Sequence, residues 1–313
     1  MKETKKGTGR SGPAKILRYW PAYAMLLPGF VYLLINNYIP MAGIVIAFKN
    51  FNYQLGMWKS PWTGLSNFEF LFRTSDAWLI TRNTLLYNVT FIVLGTVLAI
   101  LVSVALNEIR SSFAKKVYQT SVLIPYLISM VIASFLVNGF LNSRTGFINK
   151  GILEPLGMEA VSWYSEPQYW PFILVIVYLW KNLGYQVLLY YAALISIDKE
   201  YYEAAVIDGA GRWKQFLHIT LPGLKTTIIT LTLLAVGRIF YSDFGLFYQI
   251  PMDSGVLLDV TNTIDLYVYH GLMESNNIGM SSAAGVYQSM VGFVLVLLAN
   301  FAVRRLDRDS ALF

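Results

Sequence analysis

The chain has 313 residues, no cysteine and a formal net charge of +6, with 56% hydrophobic and 13% charged residues. A soluble domain carries about 25% charged residues, so the composition is that of an integral membrane protein. The missing cysteines exclude a disulfide framework and any thiolate metal or redox site. The basic residues lie between apolar runs rather than in one patch, so nucleic acid is not an expected partner.

Residues 1–19 form a basic tail carrying Lys2, Lys5, Lys6, Arg10, Lys15 and Arg18, suited to an anionic inner leaflet. The nearest approach to a phosphate-binding loop runs from Gly7 to Gly12, and Pro13 stands where the essential lysine belongs. ATP hydrolysis by this chain is therefore not expected. Six apolar runs follow, at roughly 20–47, 83–107, 119–140, 169–195, 223–245 and 284–303. Each approaches the ~20 residues that a helix rising 1.5 Å per residue needs to cross a bilayer. Pro28, Pro40 and Gly43 make the first the least regular. It is too long for a signal-peptide core and no small-residue cleavage site follows it, so it reads as a retained span. The expected fold is an all-α membrane domain of six transmembrane helices over 20–313.

Orientation follows from the positive charges. With the N-terminus inside, sixteen Lys and Arg fall on inner segments and six on outer ones, while Lys181 and Arg238 lie within spans. Both termini are then cytoplasmic, and so is the loop 196–222.

That loop contains "EYYEAAVIDGAGRWKQFLHITLP", residues 200–222. Asp198 and Glu200 suit the start of a short helix, and Gly209 and Gly211 bracket its end. A second short helix carries Trp213, Phe216 and Leu217 on one face, and Leu221-Pro222 leads into the fifth span. Ala204, Ala205 and Gly209 leave backbone open to close approach. An amphipathic hairpin that merely joins two spans has these features, and so does a docking element for a cytoplasmic partner.

Glu203-Ala204-Ala205, Gly209, Ile219, Leu221 and Pro222 resemble, without gap or mismatch, the loop motif of binding-protein-dependent ABC importer permeases. "ALISIDKEYYEAAVIDGAGRWKQF" is similar to the carbohydrate branch of that family. "LLPGFVYLLINNYIPMAGIVIAFKNFN", "GLSNFEFLF", "NTLLYN", "IPYLISMVI" and "RRLDRDSALF" look like its oligosaccharide and polysaccharide, lipopolysaccharide-transport-like, subgroup. The resemblance implies a type I ABC importer permease fold in the bacterial cytoplasmic membrane. It further implies a second, non-identical permease, two ABC ATPase subunits, and an extracytoplasmic solute-binding protein delivering an oligosaccharide or polysaccharide. ATP and Mg²⁺ are then used by the ATPases, and this chain binds no cofactor. The ATPase-coupling residues are expected to be Glu203, Ala204, Ala205, Asp208, Gly209, Ile219, Leu221 and Pro222.

Aromatic residues gather in the fourth span and around the outer end of the fifth. Most suit membrane interfaces; Tyr178 and Tyr185, near mid-membrane, are candidates to line a sugar path. Lys181 and Arg238 are expensive in a membrane unless they face protein, water or a counter-charge. Either carboxylates or carbonyls of a partner permease neutralise them, or they line a path for acidic sugars; Asp243 is poorly placed to pair with either. "WKNLG" also looks like a recurrent subgroup pattern, which favours a structural role for Lys181. His218 and His270 are expected in different compartments, and no metal site is expected. Two other classes fit the composition. One is an ion-coupled secondary transporter using Lys181, Arg238 and Asp243, although no internal repeat is visible. The other is a non-transporting scaffold whose loop recruits a partner.

Overall fold

The structure, a computed structural model, describes residues 19–306. The basic tail up to Arg18, with its Gly7–Gly12 stretch, and residues 307–313 of the "RRLDRDSALF" run lie outside the described residues. Among the described residues the only β pairing is an isolated antiparallel bridge between Lys49 and Trp62; everything else regular is helical.

Four helical stretches are long and apolar enough to cross a bilayer unbroken: Trp20–Phe48, Asp76–Glu108, Pro167–Ile195 and Ile278–Arg305. The first begins as α1 (Trp20–Leu33), widens to a π turn at Leu34–Tyr38 and tightens to a 3-10 turn at Ala42–Phe48. Its side chains are exposed as far as Ala42, and Ala47 is buried. The irregularity expected from Pro40 and Gly43 falls where this helix meets the bundle. The second, α2 (Asp76–Glu108), has 33 residues, about 50 Å at 1.5 Å each, so it projects well beyond the hydrocarbon core.

The third expected span, 119–140, is not one continuous helix. It is two, α3 (Ser112–Leu127) and α4 (Met130–Leu141), meeting at 99°. Pro125 has no N–H to give the preceding turn, and Ser129 Oγ accepts the Ile132 N–H at 3.3 Å, starting a new helix. A donor from outside then holds the carbonyls freed at the corner, as described below.

Next in the chain, α5 (Trp170–Ile195) packs along α2 and α3. Ser103 Oγ donates to the Val187 carbonyl at 3.0 Å across the buried α2–α5 seam. A Cβ on Gly184 would lie 2.1 Å from the Val122 carbonyl oxygen, so only glycine permits this α3–α5 approach. One core cluster, with Phe91, Leu174 and Phe247, fills the space between α2, α5 and residues 246–266. Another, with Ala99, Tyr190, Leu194 and Leu224, fills the end nearest the 196–222 loop.

The loop supplies α6 (Lys199–Ile207) and α7 (Arg212–Gln215). The fifth expected span, 223–245, is also shorter than its apolar run. Its helix, α8 (Lys225–Val236), has 12 residues, about 18 Å, too little for a ~30 Å hydrocarbon core. A 58° bend at Leu224 joins it to the helical run Arg212–Gly223. Beyond Gly237 the chain turns rather than continuing as helix. The Ser242 N–H and hydroxyl donate to Asp265 Oδ2 at 2.6 and 2.7 Å, and Asp243 Oδ1 accepts the Leu246 N–H at 3.1 Å. These polar anchors redirect the chain into a segment containing α9 (Phe244–Gln249) and α10 (Ile264–Met273). Gln288 on α11 (Ile278–Leu306) donates to the Phe240 carbonyl at 2.7 Å and to Asp265 Oδ1 at 3.1 Å, tying the segment to the last span.

Candidate functional site

The 196–222 loop is a closed hairpin. Asp198 caps α6 by accepting the Glu200 N–H at 3.0 Å. Its far end carries Gly209 at φ +73°, left-handed backbone that favours glycine. The Gly209 N–H bonds the Val206 carbonyl at 3.0 Å and the Ala210 N–H bonds the Ala205 carbonyl at 2.8 Å, the paired return bonds of a Schellman cap. Gly211 then opens the run Arg212–Gly223, which includes a π turn at Phe216–Thr220. Leu221 and Pro222 therefore lie within its last helical turn, and the bend comes after them, at Leu224.

Two bonds hold the arms together. The Tyr202 hydroxyl meets Thr220 Oγ1 at 2.9 Å, and Gln215 Nε2 donates to the Ala210 carbonyl at 2.8 Å. Arg212 also reaches Glu108, at the end of α2, at 3.3 Å. Both groups are solvated, so this pair orients the loop more than it stabilises it.

Of the expected coupling residues, Glu203, Ala204, Asp208, Gly209, Leu221 and Pro222 are exposed, and Ala205 and Ile219 are half-buried. Three bulky apolar residues of the hairpin outside the motif, Tyr201, Val206 and Ile207, are also exposed, Ile207 to 86%. Trp213, 68% exposed, stacks on Phe216 at 5.4 Å. A short polar hairpin thus presents bulky apolar side chains outward, as surfaces that dock other proteins do. The available signal was the presence of Tyr, Val and Ile on a helix otherwise rich in charge. Behind the hairpin lies a cleft of about 770 Å³ whose lining includes Glu108, Tyr191, Glu203 and Trp213.

The four residues expected to line a path are placed differently from one another. Tyr178 stacks on Phe91 with ring centres 3.7 Å apart, against the α2–α5 core. Tyr185 is exposed and stacks on Tyr126 at 5.0 Å. The Lys181 ammonium lies 5.8 Å from the Tyr126 ring centre and donates to the Tyr126 and Ile128 carbonyls at 3.0 and 2.5 Å. Those carbonyls stand at the corner between α3 and α4. Two carbonyls of its own chain thus hold the Lys181 ammonium, an arrangement in keeping with the structural role that the "WKNLG" pattern favours. Arg238 is exposed in the turn that follows α8, and no carboxylate of the described residues forms an ion pair with it. Asp243 is occupied in capping α9.

His218 Nδ1 lies 3.0 Å from the Lys214 carbonyl within the loop. His270 meets Asp253 and Glu274, a cluster that the sequence spacing did not reveal because Asp253 lies on a different element.

Residues 92–309 match the family model described as binding-protein-dependent transport system inner membrane component. Over 304 residues the chain is 34% identical to Protein LplB of Bacillus subtilis, covering 97% of this chain and 95% of that protein. It is 33% identical to the polygalacturonan/rhamnogalacturonan transport system permease protein YteP of the same organism, covering 95% and 91%. A bacterial ABC transporter involved in the import of the acidic polysaccharide alginate contains a chain that superposes with a TM-score of 0.86 at 32% identity, covering 94% of this chain and 98% of that one. The alginate transporter in complex with an alginate pentasaccharide-bound periplasmic protein gives 0.85 at 31% identity, covering 94% and 97%. Four helical stretches long and apolar enough to cross a bilayer, two bent helix pairs and the hairpin motif agree with these likenesses: the chain belongs to the binding-protein-dependent transport system inner membrane component family, as a multi-pass permease of the cytoplasmic membrane.

Proposed function

We propose that this chain is the pore-forming permease of an ATP-driven importer that moves an oligosaccharide into the cell. The observation that carries the reading is the preformed hairpin, which holds the complete Glu203-Ala204-Ala205…Gly209…Ile219…Leu221-Pro222 pattern and turns apolar side chains outward. In this reading the six spans, two of them bent, leave both termini and the hairpin in the cytoplasm, as the charge asymmetry requires. ATPase subunits grip the hairpin, and their closure moves α5 and α8, the helices on either side of it. A second permease supplies the other docking loop, and a solute-binding protein delivers the sugar from outside. ATP and Mg²⁺ belong to the ATPases; this chain supplies no phosphate-binding loop.

The substrate class is a uronate-containing, acidic oligosaccharide. Support comes from YteP and the alginate importer, together with the exposed Arg238 at the break in the fifth span. Lys181 is occupied by carbonyls and does not serve this role.

Uptake of labelled oligosaccharide into proteoliposomes holding the complete assembly tests the proposal. Accumulation is expected to require internal ATP and the solute-binding protein, and to persist when ion gradients are collapsed. Uptake that follows an ion gradient without ATP supports the secondary-transporter alternative, and ATPase recruitment without any uptake supports the scaffold.

A further inference from the structure

Outside the spans, one group of side chains has the composition of a metal site. His270 Nε2 lies 2.9 Å from Asp253 Oδ1 and 3.7 Å from Glu274 Oε1. One ligand atom from each residue fits within a sphere of mutual distances under 4.8 Å. His270 and Glu274 are four residues apart at the end of α10, so both project from one face. The Glu274 N–H donates to the His270 carbonyl at 2.9 Å, which fixes that last turn.

Asp253 comes from the turn after α9. Its N–H bonds the Tyr248 carbonyl at 3.1 Å, and Met252 and Asp253 both have positive φ, 55° and 50°. Left-handed backbone is costly at non-glycine residues, yet the turn keeps this carboxylate against the imidazole. The charge around the cluster is one-sided. Residues 246–283 contain Asp253, Asp259, Asp265 and Glu274 and no Lys or Arg.

We infer that Asp253, His270 and Glu274 form a binding site for one divalent transition-metal ion of the zinc class on the face opposite the hairpin. An imidazole with two carboxylates suits zinc, whose three-ligand sites keep a fourth position open to water or another ligand. Calcium takes six to eight oxygen ligands, where this cluster offers two carboxylates and an imidazole nitrogen. The Glu274 side chain is 60% exposed, so the cluster is reachable from solvent. The ion would pin the 250–254 turn to the end of α10, stiffening the outer segment.

The test uses the full-length permease in nanodiscs, purified without a histidine tag and titrated with Co²⁺ as a spectroscopic stand-in for Zn²⁺. The sequence helps: the chain has two histidines and no cysteine. One equivalent of Co²⁺ is expected to give the visible absorption of a low-coordinate site, displaced by Zn²⁺ and not by excess Ca²⁺. His270→Ala should abolish the band, His218→Ala should leave it intact, and Glu274→Gln should weaken Zn²⁺ binding about tenfold or more. Absence of the band, its persistence in His270→Ala, or its displacement by Ca²⁺ overturns the site. If His270→Ala fails to give a monodisperse protein, the exposed Glu274→Gln decides alone, and unchanged Zn²⁺ affinity in that variant overturns it.

Discussion

The Lys181 ammonium and the Ile128 carbonyl, 53 residues apart in sequence, are 2.5 Å apart in the structure. With the second bond to the Tyr126 carbonyl, a cation of α5 completes the hydrogen bonding of the corner where α3 ends and α4 begins. An orphaned carbonyl in a membrane is costly, and so is an unpaired cation. Each meets the need of the other, and the 99° corner persists because both are satisfied.

Lys181→Met should therefore lower stability, by about 2 kcal/mol for the loss of charge-assisted bonds. The measurement is the thermal midpoint of the detergent-solubilised protein. Uptake should fall by the same factor for acidic and neutral oligosaccharides, since the residue supports the helix corner. A selective loss of acidic uptake would return Lys181 to the substrate path.

At the hairpin, Ala204 is exposed and nothing lies within 4 Å of a Cβ on Gly209. Ala204→Glu and Gly209→Asp add bulk and charge to open surface, and the second also strains left-handed backbone by about 1–2 kcal/mol. Both should abolish ATPase co-purification and uptake while the permease still inserts in the membrane. Retention of both activities in both variants rules out docking at this face.

Ile207, the most exposed of the hairpin's apolar side chains at 86%, gives a gentler probe. Ile207→Ser leaves the helix unstrained and removes contact area only. Affinity for the ATPase, measured by surface plasmon resonance on nanodisc-held permease, should fall about tenfold, corresponding to roughly 1.5 kcal/mol for one buried apolar side chain. Unchanged affinity would move the contact away from Ile207.

Tyr202→Phe removes the bond to Thr220, which is 4% exposed. A buried hydroxyl deprived of a partner costs about 1–3 kcal/mol. Amide hydrogen exchange across 199–223 should accelerate in the variant while the spans keep their protection. An unchanged exchange profile would mean that the two arms are held by other contacts.

Arg238 has no carboxylate partner among the described residues. Arg238→Gln should reduce uptake of uronate-containing oligosaccharides several-fold and spare neutral ones of equal length. Competition assays in proteoliposomes measure this, and an equal effect on both sugars removes Arg238 from substrate selection.

Much of this protein is legible in its linear sequence because a bilayer imposes a local rule: enough consecutive apolar residues make a span. The membrane class and the stretches 20–48, 76–108, 167–195 and 278–305 follow from that rule, with boundaries shifted where segments carrying charged residues, such as Asp76–Arg82, extend a helix past the apolar run. The hairpin was equally readable, since Asp198, Gly209 and the capping bonds between them act within a few residues. The two bent helix pairs were not. Their apolar runs are continuous, and what breaks them is satisfied from far away: Lys181 at the α3–α4 corner, and Asp265 with Gln288 beyond α8. The same holds for Tyr178, whose place against Phe91 depends on how α2 meets α5, and for His270 beside Asp253, two residues on separate elements. Hydropathy, propensity and capping are properties of neighbours along the chain, and the sequence by itself determined what depends on them. Which distant donor meets which freed carbonyl, and which rings and carboxylates share a site, depends on long-range packing that only the tertiary structure decided.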